Sequence, residues 1–369
     1  MTNRTDPTDA AIDADTGDRA DDVPPPRITR ALERRAPAGA RLTSLSFAEV
    51  EARAHAVLPE LAALRPTIGD TPLVPVPSRH GRGTVWLKME SGNDTGTVKA
   101  RTAYALLCGA VAGHGSRSLR CVEYSSGSLA FALAEFCAVL GLDLHLVVPH
   151  TSPDSLCVAL RRLGAGVSKA PEGTGFLGAM EEAARVAETD DRHLLLQHCA
   201  AEAVAMHREL TGAETVRQLR AARVEPAAVA ASVGTGGTVL GMTLALRTVW
   251  PECAAFAVFP AEGPYADPLP PTGTPRMKGT GGLGHGLRQP LLAPHEAALG
   301  FREVAHPDAL EGMRVLRSEH GIAVSASGAG AWLVASQALD DAAAPGGAAV
   351  AVVASRGTKE EWADAGAGR

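Results

Sequence analysis

The sequence has 369 residues, of which 46% are hydrophobic and 21% charged, a composition typical of globular proteins with room for two medium-sized domains. The formal net charge is −6 and aromatic residues make up 4%, so the chain lacks the basic stripe that a nucleic-acid partner requires. No apolar run approaches the length of a membrane span. Because the amino terminus is polar and acidic, we also expect no secretory signal.

Six cysteines are scattered along the chain without a C-x-x-C pair: Cys108, Cys121, Cys137, Cys157, Cys199 and Cys253. Most of them lie in apolar stretches, which favours reduced core residues in a cytoplasmic protein. The nearest candidate for a metal cluster consists only of His193, His198 and Cys199, and we predict no metal site.

Residues 1–45 are rich in Asp, Arg, Ala, Thr and Pro and lack apolar periodicity, which predicts a mobile tail. Apolar residues at helical spacing then predict a helix over 46–64, which Pro66 ends. Beyond it, short apolar strands alternate with helical patterns. We predict strands over 84–88, 119–124, 144–149, 227–233, 255–259 and 348–353, and helices over 102–112, 128–140, 155–163, 178–187, 238–249, 309–319 and 329–339.

The alternation of strands and helices predicts an α/β architecture, with parallel sheets covered on both faces by helices. The segment 227–231 is continuously apolar rather than alternating, as a strand in a doubly covered sheet requires. We therefore predict two doubly wound units.

One of the five lysines of this chain, Lys99, lies in the segment 93–101, a turn that leads directly into a predicted helix. A lysine that forms a Schiff base needs a primary amine, partial desolvation to lower its pKa, and a rigid mount, which a loop-to-helix junction supplies. Lysines at helix starts are also commonly solvated surface residues, so this residue alone does not decide the function.

A glycine-rich turn follows the apolar strand over 227–233 and opens the next helix. It consists of Gly234, Thr235, Gly236, Gly237 and Thr238. Main-chain N–H groups and the helix dipole suit a phosphate there, although a plain tight turn is the alternative. A dinucleotide-binding frame would end on Val239 instead of glycine, and no lysine follows the glycines, so a monophosphate fits best.

Two serine-containing turns also precede helices. Ser125, Ser126, Gly127 and Ser128 lie between a strand and a helix, where hydroxyl and N–H groups would hold a carboxylate. Ser327 lies in a small-residue segment before a helix near the carboxyl terminus. The alternative for both turns is helix capping by serine.

Taken together and in this order, these segments resemble the cysteine synthase branch of the fold-type II enzymes that depend on pyridoxal 5′-phosphate. The similarity begins at Ile68–Val74 (IGDTPLV, like I-G-N-T-P-L-V) and continues through Thr95–Lys99 (TGTVK, like T-G-S-V-K). The segment 125–128 stands where the family has T-S-G-N, and 234–238 is identical to its G-T-G-G-T phosphate loop. Gln197 and the stretch 207–214 are similar to the Q…H-x-x-x-T-G-x-E region, and 278–284 resembles a glycine-rich segment near the site entrance.

The resemblance, which covers roughly residues 68–362, implies a role for each candidate residue. Lys99 would form the internal aldimine with the cofactor, and 234–238 would bind its phosphate. The serine loop and Gln197 would bind the substrate carboxylate, with Ser128 also near the phenolic oxygen of the cofactor. Ser327 would meet the pyridine nitrogen. A hydroxyl there hydrogen-bonds a neutral ring, a weaker electron sink that suits α-proton loss followed by prompt expulsion of a β-substituent.

The chain departs from the family pattern at three places. Ser128 replaces asparagine, which shortens the reach of that side chain. Leu129 and Ala130 replace T-G, which removes a hydroxyl and adds bulk beside the substrate. Ala100 replaces the aspartate that usually follows the lysine.

The resemblance implies β-replacement on an O-activated L-serine, such as O-acetylserine or O-phosphoserine, through an aminoacrylate, with sulfide, another thiol or an amine as nucleophile. A β-eliminating lyase such as a cysteine desulfhydrase, a specialised synthase such as one for 2,3-diaminopropionate, and a catalytically silent binding homologue are the alternatives. A nucleotide-binding oxidoreductase is disfavoured because the glycine pattern of a dinucleotide-binding loop would end on Val239 instead of glycine. The resemblance also implies a homodimer, and we expect a smaller mobile domain over 93–200 and a larger one over 46–92 plus 201–362.

Overall fold

The structure is a computed structural model, and it describes residues 27–263, 265, 276–281, 288–341 and 346–367. Within these residues, ten strands form two sheets. The strands are β1 (Leu73–Pro77), β2 (Gly83–Met89), β3 (Arg120–Tyr124), β4 (Asp143–Val148), β5 (Gly166–Lys169), β6 (His193–Leu194), β7 (Pro226–Ser232), β8 (Ala254–Pro260), β9 (Gly300–Val304) and β10 (Gly347–Val353). Among them, β1, β5, β6 and β9 are additions to the strands that the sequence predicted.

The larger sheet has six strands in the order β1-β2-β10-β7-β8-β9, and the smaller sheet has four in the order β5-β4-β3-β6. All pairings in the smaller sheet are parallel. In the larger sheet β1 runs antiparallel to β2, and the remaining pairs are parallel. The predicted α/β fold is confirmed, with the larger sheet mixed rather than purely parallel.

Helices connect the strands and cover the sheets. They are α1 (Arg27–Arg35), α2 (Gly39–Ser44), α3 (Phe47–Val57), α4 (Leu61–Leu64), α5 (Lys99–His114), α6 (Ser128–Leu140), α7 (Asp154–Arg162), α8 (Gly175–Thr189), α9 (Ala201–Met206), α10 (Ala213–Ala222), α11 (Gly237–Arg247), α12 (His306–His320), α13 (Ala326–Asp340) and α14 (Lys359–Ala367). A π-helix over His207–Gly212 joins α9 to α10. No helix in the described part of the chain is long and apolar enough to cross a membrane.

Strand β7 shows why its sequence is continuously apolar. Ala228 and Ala230 pack into the core that α12 and α13 cover, whereas Val229 and Ala231 pack into the core on the α11 side. A strand buried on both faces has no solvent side that polar residues could occupy. The segment that the sequence singled out is therefore a central strand of the larger sheet.

The first helices lie in the segment that the sequence predicted to be a mobile tail. Residues 27–44 contain α1 and α2, and Leu32 and Leu42 are 5% and 0% exposed. The prediction is wrong for this part of the tail, because these leucines bury their side chains against residues distant in the sequence, which local periodicity does not reveal. Residues 1–26 of the predicted tail lie outside the described residues.

The predicted domain boundaries at residues 93 and 200 stay a prediction. Helix α3, assigned from the sequence to the larger domain, packs on α5 through an edge-to-face contact between Phe47 and Tyr104, whose ring centroids lie 6.1 Å apart.

The predicted helix over 46–64 is divided into α3 and α4 near Pro59.

A cluster of buried charges ties β2 to α5 and α10. Lys88, Glu90 and Arg101 are 0% exposed and Glu214 is 4% exposed. Arg101 donates to both oxygens of Glu90, with Nε–Oε2 at 2.7 Å and Nη2–Oε1 at 2.9 Å, and it also reaches Glu214 at 3.2 Å. Lys88 donates to Glu214 and, at 2.8 Å, to the carbonyl oxygen of Thr71. Two cations and two carboxylates thus neutralise each other away from water.

We expect the Glu90→Gln variant to lose about 3–5 kcal/mol of unfolding free energy, because it leaves Arg101 buried beside an amide that cannot neutralise it. Denaturant unfolding of the purified protein measures this loss. The matched control is Asp154→Asn, which breaks an exposed ion pair with Lys169 and should leave the unfolding midpoint unchanged. Equal midpoints for the two variants would contradict the prediction.

Candidate active site

Lys99 is the first residue of α5, and the loop before it is fixed to the end of β10. The Val98 N–H donates to the carbonyl oxygen of Ala354 at 2.9 Å, and Thr97 forms an isolated bridge with Ser355. The Lys99 side chain makes no hydrogen bond or ion pair with any residue that the structure describes. Burial lowers the pKa of its amine to about 8, against the opposing effect of the Glu123 carboxylate.

Glu123 is a buried acid that the sequence analysis missed. It lies on β3 with 0% exposure, and burial raises its pKa to about 8 despite hydrogen bonds from Gln197. The backbone N–H and the side-chain Nε2 of Gln197 each lie 3.4 Å from a Glu123 oxygen. The signal available in the sequence was a single acidic residue inside an apolar strand, CVEY.

Gln197 follows β6 and is itself buried. Its Nε2 lies 3.2 Å from the carbonyl oxygen of Tyr124 in addition to its contact with Glu123. Both N–H groups of the Gln197 amide therefore have partners. A substrate carboxylate could accept from this amide only if it replaced one of them, of which the 3.4 Å contact with Glu123 is the longer.

The serine loop lies between β3 and α6. The Ser125 N–H donates to the carbonyl oxygen of Val147 at 3.2 Å, and the Gly127 N–H donates to Ser125 Oγ at 3.3 Å. Ser126, Gly127 and Ser128 are exposed, and no side-chain cap is formed at the amino terminus of α6. These serines therefore do not cap α6, and the N–H and hydroxyl groups of Ser126 and Ser128 remain available to an anion.

The glycine-rich loop Gly234–Thr238 lies between β7 and α11. Gly236 has φ +92° and lies against Leu292, where a Cβ atom would approach to 2.5 Å, and a Cβ at Gly234 would lie 2.8 Å from the Gly279 oxygen. Helix α11 has eleven residues and no side-chain cap. Glycine is thus required by the close approach of neighbouring atoms, and the uncapped N–H groups fit a phosphate.

His207 connects this loop to the π-helix. Its Nε2 lies 3.2 Å from Thr238 Oγ1, and its Nδ1 lies 3.0 Å from Thr211 Oγ1. Burial holds the pKa of His207 well below its usual value, with smaller contributions from Arg101 and Lys99. His207 is therefore neutral, and its two hydrogen bonds connect the glycine-rich loop to the π-helix.

Ser327 lies in the first turn of α13. The cap of this helix is Ser325, whose Oγ accepts from the Gly328 N–H at 3.2 Å and lies 3.0 Å from Ser327 Oγ. The carbonyl oxygen of Ser327 accepts from Ser232 Oγ at 2.7 Å, immediately before the glycine-rich loop. Ser325 in turn donates its N–H to the carbonyl oxygen of Ser355, beside the lysine loop.

Hydrogen bonds link three of the segments that the sequence singled out. The Lys99 loop, the glycine-rich loop and the Ser327 segment are joined through Ser232 and Ser355. Gln197 contacts the carbonyl oxygen of Tyr124, directly before the serine loop. The glycine-rich segment predicted over 278–284 is described as far as Gly281, whose N–H donates to the carbonyl oxygen of Val233 at 3.2 Å; residues 282–284 lie outside the described residues.

The remaining candidates for a functional site are a surface concavity, the six cysteines and a group of metal ligands. A surface concavity of about 890 Å³ lies around Pro226 and Cys253, at the amino ends of β7 and β8. All six cysteines are buried and unpaired. In the described ranges, no group of three His, Cys, Asp or Glu side chains could hold a metal ion.

Comparison with known proteins places this chain in a family. Residues 64–355 match the family described as "Pyridoxal-phosphate dependent enzyme". A "Probable cysteine synthase" of Bacillus subtilis is 29% identical over 272 residues, 73% of this chain and 86% of that protein.

Two solved structures have the same fold. O-ureido-L-serine synthase is 23% identical, with a TM-score of 0.71 and coverage of 81% of this chain and 92% of that one. A hydrogen sulfide-producing enzyme from Fusobacterium nucleatum is 23% identical, with a TM-score of 0.70 and coverage of 80% and 97%. With the family match, these relatives establish that the chain belongs to the pyridoxal-phosphate-dependent enzymes of fold type II, in the cysteine synthase-like group.

Proposed function

We propose that this protein catalyses β-replacement on an O-activated L-serine, O-acetylserine or O-phosphoserine, with sulfide, another thiol or an amine as nucleophile. The observation that carries the proposal is Lys99, a partly buried lysine whose amine has a pKa lowered to about 8 and no partner among the described residues. Its loop is bonded to residues 354–355, which also bond the segment that carries Ser327. The proposal includes a homodimer, which the resemblance to the family implies, and a cytoplasmic location, which the pattern of cysteines favours.

The residues present fit pyridoxal phosphate. The uncapped start of α11 and the loop Gly234–Thr238 would hold the phosphate, Ser327 Oγ would face the pyridine nitrogen, and Ser128 would lie near the phenolic oxygen. When bound, pyridoxal phosphate supplies an electron sink for the electrons left when an amino acid loses its α-proton. Lys99 Nζ would hold the cofactor until the substrate amine takes its place.

Lys99 would then act as a general base. Because the pKa of its amine is about 8, a useful fraction is neutral near physiological pH and can take the α-proton on Nζ. After the β-substituent leaves and the nucleophile adds, the same atom can return the proton to the α-carbon. A single group near its working pH thus serves as base and acid.

The substrate carboxylate would bind at the serine loop. The exposed Ser126 and Ser128 hydroxyls and the N–H groups at the start of α6 are donors without a cap, and Ser125 and Gly127 fix the loop shape. Gln197 would contribute an N–H by giving up its long bond to Glu123. Closure of the proposed smaller domain over the carboxylate would exclude water from the reacting atoms.

We expect the Lys99→Ala variant to lose at least about 10²-fold in turnover, the effect of removing a general base. Borohydride reduction followed by mass spectrometry should find the cofactor mass on the Lys99 peptide of the wild type and nowhere in the variant. Lys169→Ala, at a partly exposed lysine paired with Asp154, is the matched control and should keep both properties. A labelled peptide in Lys99→Ala, or full activity, would refute the assignment.

The rate at which cofactor-free protein takes up pyridoxal phosphate should rise with pH and reach half its plateau near pH 8, because only the neutral amine attacks. The Glu123 carboxylate raises the pKa of Lys99, so Glu123→Gln should move this midpoint to lower pH. Absorbance of the bound cofactor measures uptake. A midpoint that moves upward in Glu123→Gln would contradict the charge coupling.

The donor substrate is tested by supplying O-acetylserine or O-phosphoserine with sulfide and identifying the products. We expect a new β-substituted amino acid from one of the donors and little pyruvate. Pyruvate and ammonia as main products would identify a β-eliminating lyase instead. No reaction with either donor, in protein that has bound the cofactor, would reject an O-activated serine as substrate.

A further inference from the structure

A histidine and a tyrosine form a buried pair next to the proposed carboxylate site. His198 follows Gln197, and Tyr124 precedes Ser125. The Tyr124 hydroxyl lies 2.6 Å from His198 Nδ1, and the two rings stack with centroids 5.6 Å apart. Phe176 meets both rings edge to face, and His198 is 3% exposed. The imidazole is thus held in a defined orientation.

The geometry assigns a tautomer to His198. A separation of 2.6 Å lies below the usual range of N–H donors and within that of hydroxyl donors, which favours Tyr124 as the donor and Nδ1 as the acceptor. Burial and the nearby Lys99 charge lower the pKa of His198 to about 3, and burial holds the pKa of Tyr124 well above its usual value, so both groups are neutral. The proton of the neutral ring therefore lies on Nε2, which has no hydrogen-bond partner among the described residues.

The position of the pair points to one part of the substrate. In the proposed function, Lys99 acts at the α-carbon and the loop after Tyr124 binds the carboxylate. His198 follows Gln197, whose Nε2 contacts the carbonyl oxygen of Tyr124, so the pair lies beside the proposed carboxylate site; the Lys99 charge also contributes to the lowered pKa of His198. The group of the substrate that remains for a donor in this place is the β-substituent.

We propose that the His198 Nε2–H, oriented by Tyr124, donates a hydrogen bond to an acceptor oxygen on the β-substituent and so selects donors that carry an uncharged acyl oxygen. The inference rests on the proposed function. A neutral donor suits a carbonyl, whereas a phosphoryl dianion needs cations. Of the described cations whose charge acts on this pair, Lys99 would be committed to the cofactor, and Arg35 donates to the carbonyl oxygen of Leu194 at 2.6 Å.

The test compares two donors in the holoenzyme. O-acetylserine carries an acceptor oxygen on its β-substituent, and β-chloroalanine does not, although both give the same product with sulfide. In His198→Phe, which keeps a flat ring against Tyr124 and Phe176, we expect kcat/KM for O-acetylserine to fall about 5- to 20-fold, the effect of losing one neutral hydrogen bond. The value for β-chloroalanine should change by less than about twofold, because its β-substituent has no oxygen that the Nε2–H could bind.

Two further variants separate binding from packing. His198→Gln retains an N–H donor and should recover part of the loss with O-acetylserine. His193→Phe is the matched control on β6 and should affect neither donor selectively. Equal losses with both donors in His198→Phe would show that His198 only packs, and no loss would show that it does not bind the substituent; either result overturns the inference.

The tautomer is measured independently of activity. In protein with ¹⁵N-labelled histidine, NMR should show His198 neutral and protonated on Nε2, and Tyr124→Phe should remove this preference. A charged ring, or a proton on Nδ1, would overturn the assignment.

The same assays separate this inference from the proposed function. Wild-type protein that consumes neither O-acetylserine nor β-chloroalanine overturns both. If the wild type turns over both donors but prefers O-phosphoserine to O-acetylserine, the proposed function survives and the selection of an uncharged oxygen is wrong.

Discussion

The buried ion cluster of Lys88, Glu90, Arg101 and Glu214 is the interaction on which the rest of the site depends. Arg101 lies two residues after Lys99 on α5, so its paired bonds to Glu90 fix the start of this helix against β2. Buried ion pairs add little net stability, but a misaligned arrangement would leave an unpaired charge in the core. The cluster therefore favours one register between α5 and β2. This register fixes the position of Lys99, the first residue of α5.

Close packing of α11 on the π-helix fixes the position of the glycine-rich loop in a similar way. A Cβ atom at Gly241 would lie 2.5 Å from His207 Cβ, and one at Gly212 would lie 2.2 Å from Ala245 Cβ. These glycines let the two helices approach closely enough for His207 to reach Thr238. The loop that would receive a phosphate is thus oriented by contacts behind it, before any ligand binds.

Local signals in the sequence carried a large part of the prediction. Helix α6 has the bounds that apolar spacing predicted, 128–140, and the turns around Lys99 and Gly234–Thr238 lie at strand and helix ends as expected. Glu123 and the pairing of His198 with Tyr124 were missed because their roles come from contacts 73–74 residues apart in the chain. Helices α1 and α2 were missed for a similar reason, since Leu32 and Leu42 are buried by distant segments. A local pattern shows which residues can be helical, but not which distant surface will cover them.

The direction of the strands explains why residues so distant in sequence meet. The serine loop follows β3, Gln197 follows β6, the glycine-rich loop follows β7, and the Lys99 loop is bonded just beyond β10. Parallel strands place their carboxyl ends along one edge, and helices that begin there direct N–H groups toward that edge. The 890 Å³ concavity lies at the amino ends of β7 and β8, at the opposite edge of the larger sheet, and its lining includes Arg220 near the end of α10. It is therefore separated from the strand ends and helix starts that carry the Lys99 loop and the glycine-rich loop, and its volume alone does not make it the candidate site.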